Sequence, residues 1–195
     1  MRSPRLPIIV VLAGALVGAL ATPAAGAATR GPVSTPSIAF REHAAAARRF
    51  WTPARMRAAR PIEGAGPVAH ASTLNPALTA TSETIADPTL PEYRVNGAIF
   101  INEGIGYGRC SGTSVVSPNK SVVITAGHCV YDEGIWSDRK WIFVPGYHHG
   151  ERPFGTFTAH WLGTTPAWHA HGNENFDVGA AVVGRNEKGQ TLAAA

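Results

Sequence analysis

Cysteine is scarce in this chain: Cys110 and Cys129 are the only two in 195 residues. That count leaves room for one disulfide at most. Basic charge is equally scarce where a fold is expected. Residues 1–61 hold nine Lys/Arg and one acidic residue, Glu42, whereas residues 62–195 hold eight Lys/Arg and twelve Asp/Glu. A nucleic-acid binder carries its basic patch on the folded domain, so the overall charge of +4 does not point to nucleic acid. The N-terminal apolar run, "IIVVLAGALVGAL" (Ile8 to Leu20), falls short of the roughly 20 residues that span a bilayer. Between Ala28 and Pro91 large apolar residues are few, and such a segment cannot offset its ordering entropy alone. Beyond Pro91 there is no sustained helical period and no internal repeat.

What is there divides the chain in stages. Arg2 and Arg5, the apolar run, and the Ala25-x-Ala27 site in "TPAAGAA" together read as a secretory signal peptide over residues 1–27, with no membrane association after cleavage. An exported, extracellular protein follows, in which two cysteines favour one disulfide over a reduced pair. Residues 28–91, rich in Ala, Pro, Thr and Arg, read as a pro-segment or flexible leader that is largely unstructured. Within it "REHAAAARRFW" (Arg41 to Trp51) has the composition of a short helix, and Pro53 and Pro61 limit anything longer.

From residue 92 the texture changes. "VNGAIFIN" (Val95 to Asn102), "GTSVVS" (Gly112 to Ser117), "SVVITA" (Ser121 to Ala126), "KWIFVPGY" (Lys140 to Tyr147), "GTFTAHWLG" (Gly155 to Gly163) and "DVGAAVVG" (Asp177 to Gly184) are short and rich in β-branched residues. Turn material such as "EGIGYG", "SPNK", "YDEGIWSD" and "HHGERPFG" separates them. Short strands at this spacing predict an all-β, antiparallel sandwich or barrel of about six strands.

Two positions stand out for chemistry. His128 follows "VVITAG", where a strand breaks at a small-residue turn and leaves the imidazole at the rim of a sheet. A cysteine beside it, if bridged to the neighbouring strand, holds the ring still, as a general base requires. Asp177 opens the strand "NFDVGAAVV". On its own it reads as a turn residue; buried beside His128 it would fix the tautomer and stabilise the imidazolium. The histidine-rich stretch of His148, His149, His160, His169 and His171, with Glu174, raises the question of a metal. Its spacings match no strong motif such as His-Glu-x-x-His, although His169 and His171 would share a face on a strand. The reading is loop histidines, with no metal and no cofactor.

"CSGTSVVSPNKSVVITAGHCVY" resembles the histidine segment of the chymotrypsin-like (trypsin-like) serine peptidases, cysteine partner included, and "NFDVGAAVV" is similar to their aspartate segment. "FVPGYHHGERPFGTFTAHW" and "PAWHAHGNENFD" resemble the bacterial branch that contains the glutamyl endopeptidases. The likeness runs from about Asn96 to Gly184. It implies the first six-stranded barrel of a two-barrel fold, with His128 as general acid/base and Asp177 as its orienting partner. It also implies a protein or peptide substrate.

The resemblance further implies a nucleophilic serine in a Gly-Asp-Ser-Gly-like turn downstream of the aspartate. No serine follows Asp177, and the Ser111-Gly112 pair precedes the histidine. The expectation is therefore the N-terminal half of a secreted peptidase. The barrel occupies residues 92–184, an inter-barrel linker begins at 185–195, and the C-terminal barrel is missing. Such a fragment lacks efficient turnover and leaves an apolar inter-barrel face uncovered. The alternative is a secreted half-barrel that binds without catalysing.

Overall fold

The computed structural model describes residues 34–41, 43–62 and 85–195. The signal peptide expected at residues 1–27 lies outside them. The described elements, in chain order, begin with β1 (Ser37–Ala39), α1 (Ala44–Phe50), α2 (Pro53–Ala58) and β2 (Arg60–Pro61). There follow β3 (Asn96–Asn102), β4 (Tyr107–Val115), β5 (Val122–Thr125), β6 (Tyr131–Asp132), β7 (Ile135–Trp136) and β8 (Ile142–Pro145). The last are β9 (Phe157–Thr164), α3 (Pro166–His171) and β10 (Gly179–Val183).

Six of these close on themselves. The antiparallel order runs β9, β10, β5, β4, β3, β8, and the Ile142↔Thr158 and Phe143↔Phe157 pairs join β8 back to β9. The result is a closed six-stranded antiparallel barrel, and each of its strands overlaps one of the six segments read from the sequence, although β4 starts at Tyr107, five residues before the segment Gly112–Ser117 and inside the expected turn "EGIGYG". Closure leaves no sheet edge along most of the circumference. Ile99, Ile101, Val123, Phe143, Phe157, Leu162, Ala181 and Val183 fill the interior, as period-2 alternation requires.

Two strands are apolar on both faces. Ala98 and Phe100 of β3, with Ile142 and Val144 of β8, point away from the barrel interior and are nonetheless buried. A strand apolar on both faces needs a cover, and here the leader supplies it. Ala47, Trp51, Met56 and Ala59 pack on this outer face. The Trp51 indole N–H donates to the Lys140 carbonyl at 2.6 Å. Thr52 caps α2 through the Arg55 amide, with Pro53 at the first helical position, a sequence-readable start signal.

Within the described residues, part of the leader expected to be largely unstructured is ordered against the barrel. The short helix expected in Arg41–Trp51 forms as α1, but it is docked. Two other parts of the leader pair with the barrel: β1 runs antiparallel to β9, and β2 runs parallel to β4 at Gly108 and Arg109. The reason it escapes a periodicity argument is that docking rests on a few anchors, chiefly Trp51 and Met56, rather than on a repeating apolar face. Fully burying a residue of this class stabilises by about 1.5–3 kcal/mol.

Two short features lie outside the six expected strand segments. "YDEGIW" forms the β6–β7 hairpin, with Glu133 (φ 45°) and Gly134 (φ 85°) at its tip. "PAWHAH" forms α3, capped at Thr165 by the Trp168 amide and ended by left-handed Gly172. Six residues are too few to display a helical period.

Candidate functional site

β5 ends at Thr125, and Gly127–Cys129 makes a single 3-10 turn that lifts His128 to the barrel rim. Cys129 in that turn is bonded to Cys110 in β4, the pairing expected from the sequence. Trp141 reinforces the turn from beneath, its indole N–H donating to the Cys129 carbonyl at 3.1 Å. The backbone under the imidazole is thus held on both sides.

Asp177 approaches from the other side of the rim. It ends the short 3-10 turn Glu174–Phe176, directly before β10. Because β10 pairs with β5, with Gly179 opposite Thr125, the two loops that carry His128 and Asp177 meet. The Asp177 Oδ2 lies 2.8 Å from His128 Nδ1, and its Oδ1 accepts the His128 backbone N–H at 2.8 Å. Both side chains are largely buried, with 15% and 22% of their surfaces exposed. With Nδ1 donating to the carboxylate, the neutral ring keeps Nε2 as an acceptor.

Three residues that sequence reasoning missed complete this arrangement. Gly127 leaves the space that Asp177 enters: a Cβ there would sit 2.8 Å from Oδ1 and 2.7 Å from a Trp168 ring carbon. Trp168 stands edge-on to His128, with ring centres 6.3 Å apart, and its indole N–H donates to the Tyr131 carbonyl at 2.7 Å. The Thr165-Pro166 start of α3 was the available signal for that placement. The third is Asp132, whose carboxyl is raised above its ordinary value of 3.8, chiefly by burial and also by the neighbouring Glu133 and Asp177 charges. The His128 ring pulls it in the opposite direction.

One cleft borders the His128 ring, and a second borders Trp168. The first, of about 490 Å³, is bordered by His128, Cys110, Ser111, Arg109 and Tyr147, with Pro61 and Ile62 of the leader. The edge of β4 that faces this cleft pairs with β5 only at Thr113–Val115. Farther along, at Gly108 and Arg109, it pairs with β2, and the Ile62 amide donates to the Arg109 carbonyl at 2.9 Å. The other cleft, about 460 Å³, lies between the β6–β7 hairpin and α3 and includes Asp132, Trp168, His169 and Glu174.

The histidine-rich stretch is not gathered into one cluster. His148 and His149 stack edge-to-face at 4.2 Å, His169 stacks on Tyr131 at 4.3 Å, and His160 and His171 are exposed on β9 and α3. His169 and His171 do not share a strand face, because α3 is helical. The one group of potential ligands within reach of a single ion, among the described residues, is His128 with Cys110 and Cys129. Both sulfurs there are committed to the disulfide.

No protein-family model matches the chain, and no curated protein does. Solved structures do. The chain is 40% identical to the protease Anisep from Arthrobacter nicotinovorans, over 51% of this chain and 45% of that one, with a TM-score of 0.47. It is 33% identical to the thermostable serine protease AL20 from an extremophilic microorganism, over 52% and 47% of the two chains, with a TM-score of 0.48. A glutamyl endopeptidase structure is 20% identical over 53% and 46%, with a TM-score of 0.46. The chain therefore spans about half the length of each, and over that half it is similar to bacterial serine proteases.

Proposed function

We propose that this chain carries the histidine and aspartate of a Ser-His-Asp endopeptidase that is exported and acts outside the cell on protein or peptide substrates. In this reading His128 Nε2 takes the proton from the attacking serine hydroxyl and returns it to the leaving amine. Asp177 holds the ring in the required tautomer and stabilises the imidazolium while it exists. The serine and the oxyanion-binding amides would come from a second barrel beyond the residues of this sequence. By itself the chain would then turn over poorly, since removing such a nucleophile costs on the order of a million-fold.

The observation that carries this reading is the double grip of Asp177 on His128. A carboxylate that only satisfied a turn would have no need to meet both the backbone amide and Nδ1 of one histidine. A shallow apolar groove of about 240 Å³, formed by Ile124, Trp161, Pro166 and Val178, supports a further domain docking nearby. Ile124 and Val178 there are 38% and 49% exposed.

The test begins with the gene beyond the codon for Ala195. The extended product is treated with a fluorophosphonate, and the labelled residue is mapped. Labelling at a serine in a Gly-x-Ser-Gly turn, lost in His128→Ala, is expected. A folded, extended product that takes no label would sink the enzyme reading and leave the cleft beside His128 to non-catalytic binding.

A further inference from the structure

A third cavity, of about 420 Å³, is bordered by Arg57, Arg109, Tyr147, His148 and His149. Arg57 comes from α2 of the leader, and Arg109 comes from β4, where it lies opposite the outward-facing Phe100. The other three follow β8. Their turn is closed by the His148–Glu151 pair, and His149 and Gly150 both have positive φ, 46° and 99°. Such a backbone is uncommon for a residue other than glycine. Gly150 also leaves the notch in which Arg57 sits: a Cβ there would stand 2.6 Å from a guanidinium nitrogen. The Tyr147 ring is fixed edge-on against Phe100, with centres 4.9 Å apart.

No carboxylate borders this cavity among the described residues. Arg57 donates to the His149 carbonyl at 3.4 Å, a long bond that leaves most of its N–H groups free. The Arg109 guanidinium makes no hydrogen bond and no ion pair among the described residues. Both charges reach the Tyr147 hydroxyl. Burial pushes its proton affinity above the ordinary value of 10.0, and Arg109, the Gly150 amide and Arg57 pull against it. Two guanidinium groups that face one space without a counter-charge repel each other. That repulsion falls across the junction of leader and barrel, and an anion between them turns it into attraction.

Guanidinium groups with free planar donors select carboxylate and phosphate oxygens. Donors reach this cavity from α2, from β4 and from the turn after β8, where the His148 and His149 rings each add an N–H group. A flat carboxylate meets donors lying in one plane. A tetrahedral oxyanion presents oxygens to all three segments at once.

We propose that Arg57, Arg109, His148 and His149 bind a free tetrahedral oxyanion, of the phosphate or sulfate class, which clamps the leader onto the barrel. Because the anion bonds Arg57 of the leader and Arg109 of the barrel together, it binds the docked form and stabilises that form by mass action. β2 and Ile62 stay on the β4 edge while it does so. The inference requires no peptide in the His128 cleft and no catalysis, and it stands apart from the peptidase reading.

The test titrates the full chain with sodium phosphate, sodium sulfate and sodium acetate, with sodium chloride holding the ionic strength constant. Binding is read from the NMR signals of the arginine Nε–H groups, and leader docking from hydrogen exchange at the Trp51 indole N–H, which donates to the Lys140 carbonyl. Phosphate and sulfate are expected to bind saturably, about tenfold or more tightly than acetate. They should move Arg57 and Arg109 together and leave Arg185 unmoved, since its guanidinium already donates to the Gly189 carbonyl at 2.7 Å. Trp51 exchange should slow over the same concentrations. Arg109→Gln and Arg57→Gln should each weaken phosphate about tenfold or more, with Arg109→Lys restoring part of the loss. In chloride alone both glutamine variants should melt no lower than the parent, because each removes one of two facing like charges. Shifts that never saturate, equal affinity for acetate, or shifts shared by Arg185 would mean general screening and overturn the site. Unchanged phosphate affinity in Arg109→Gln would overturn it as well. Saturable binding that leaves Trp51 exchange unaltered would overturn the clamp. Serine labelling of the extended product, present or absent, changes none of these readouts.

Discussion

Asp177 holds His128 at two points: one carboxylate oxygen accepts the backbone N–H and the other meets Nδ1, each at 2.8 Å. The first contact fixes where the residue is, and the second fixes which way the ring faces and where its proton sits. Asp177→Asn separates the two. An asparagine keeps one acceptor for the backbone amide but presents an NH₂ group to Nδ1. The ring must then carry its proton on Nε2, which is the wrong tautomer for a base. Nitrogen-15 NMR of the neutral ring should show the switch, while the melting temperature changes little. In a completed enzyme, turnover should fall by on the order of ten-thousand-fold. An unchanged tautomer would remove the orienting role assigned to Asp177.

The space for that contact exists because residue 127 has no side chain. A Cβ at Gly127 would meet both Asp177 and Trp168 at under 3 Å. Gly127→Ala should therefore cost about 1–3 kcal/mol through overpacking and speed hydrogen exchange at the His128 amide. Both are measured on the same protein, by urea unfolding and by exchange. If exchange at His128 stays slow, the glycine is not what admits the carboxylate.

Docking of the leader makes a separate prediction. Trp51 is fully buried between α1 and the outer face of β3 and β8. Trp51→Ala should cost about 3–5 kcal/mol. Trp51→Phe keeps the ring but leaves the Lys140 carbonyl without its donor, for about 1 kcal/mol of lost hydrogen bonding. Chemical denaturation of both variants gives the ratio. A cost near zero for Trp51→Ala would mean that the leader is not part of the cooperative fold.

The barrel was legible because its physics is local and repetitive. Six apolar segments separated by turn residues specify six strands, and the small-residue break at Thr125–Gly127 specifies the rim position of His128. The Cys110–Cys129 pairing follows from having only two candidates. The leader was not legible, because its attachment depends on Trp51 meeting a face of β3 and β8 that lies far away in sequence. The outward apolar residues of "AIF" and "WIFV" were the available trace of a missing cover. Trp168 and Gly127 were missed for a related reason: each matters through a neighbour brought close only by the pairing of β5 with β10.

Reduction of the disulfide tests the rim itself. Cys110 and Cys129 are 19 residues apart, and on the loop-entropy account a closed loop of this size contributes about 3 kcal/mol. The paired Cys110→Ala, Cys129→Ala variant should lose about that much stability by urea unfolding. The backbone around His128 should also exchange faster than that of β9, which is remote from the bridge. Uniform loosening of the whole barrel would show that the bridge serves global stability and not the positioning of the histidine.

The last prediction concerns pH and Asp132. Its folded-state proton affinity is raised above the ordinary value of 3.8, mainly by burial. The folded chain therefore binds this proton more tightly than the unfolded chain does. Where the unfolded state binds fewer protons, stability falls as pH rises. The Asp132 contribution is thus most favourable below pH 3.8 and declines as pH climbs through the raised folded value, then stays level. Asp132→Asn removes the ionisation and keeps the shape. The variant should match the parent in acid and exceed it in stability near neutrality, with the difference opening over that interval. Urea unfolding at pH 3 and pH 7 on both proteins is sufficient. A variant less stable than the parent at pH 7 would mean that the ionised carboxylate is held favourably, by the His128 ring or the Glu133 amide, and that burial does not govern it.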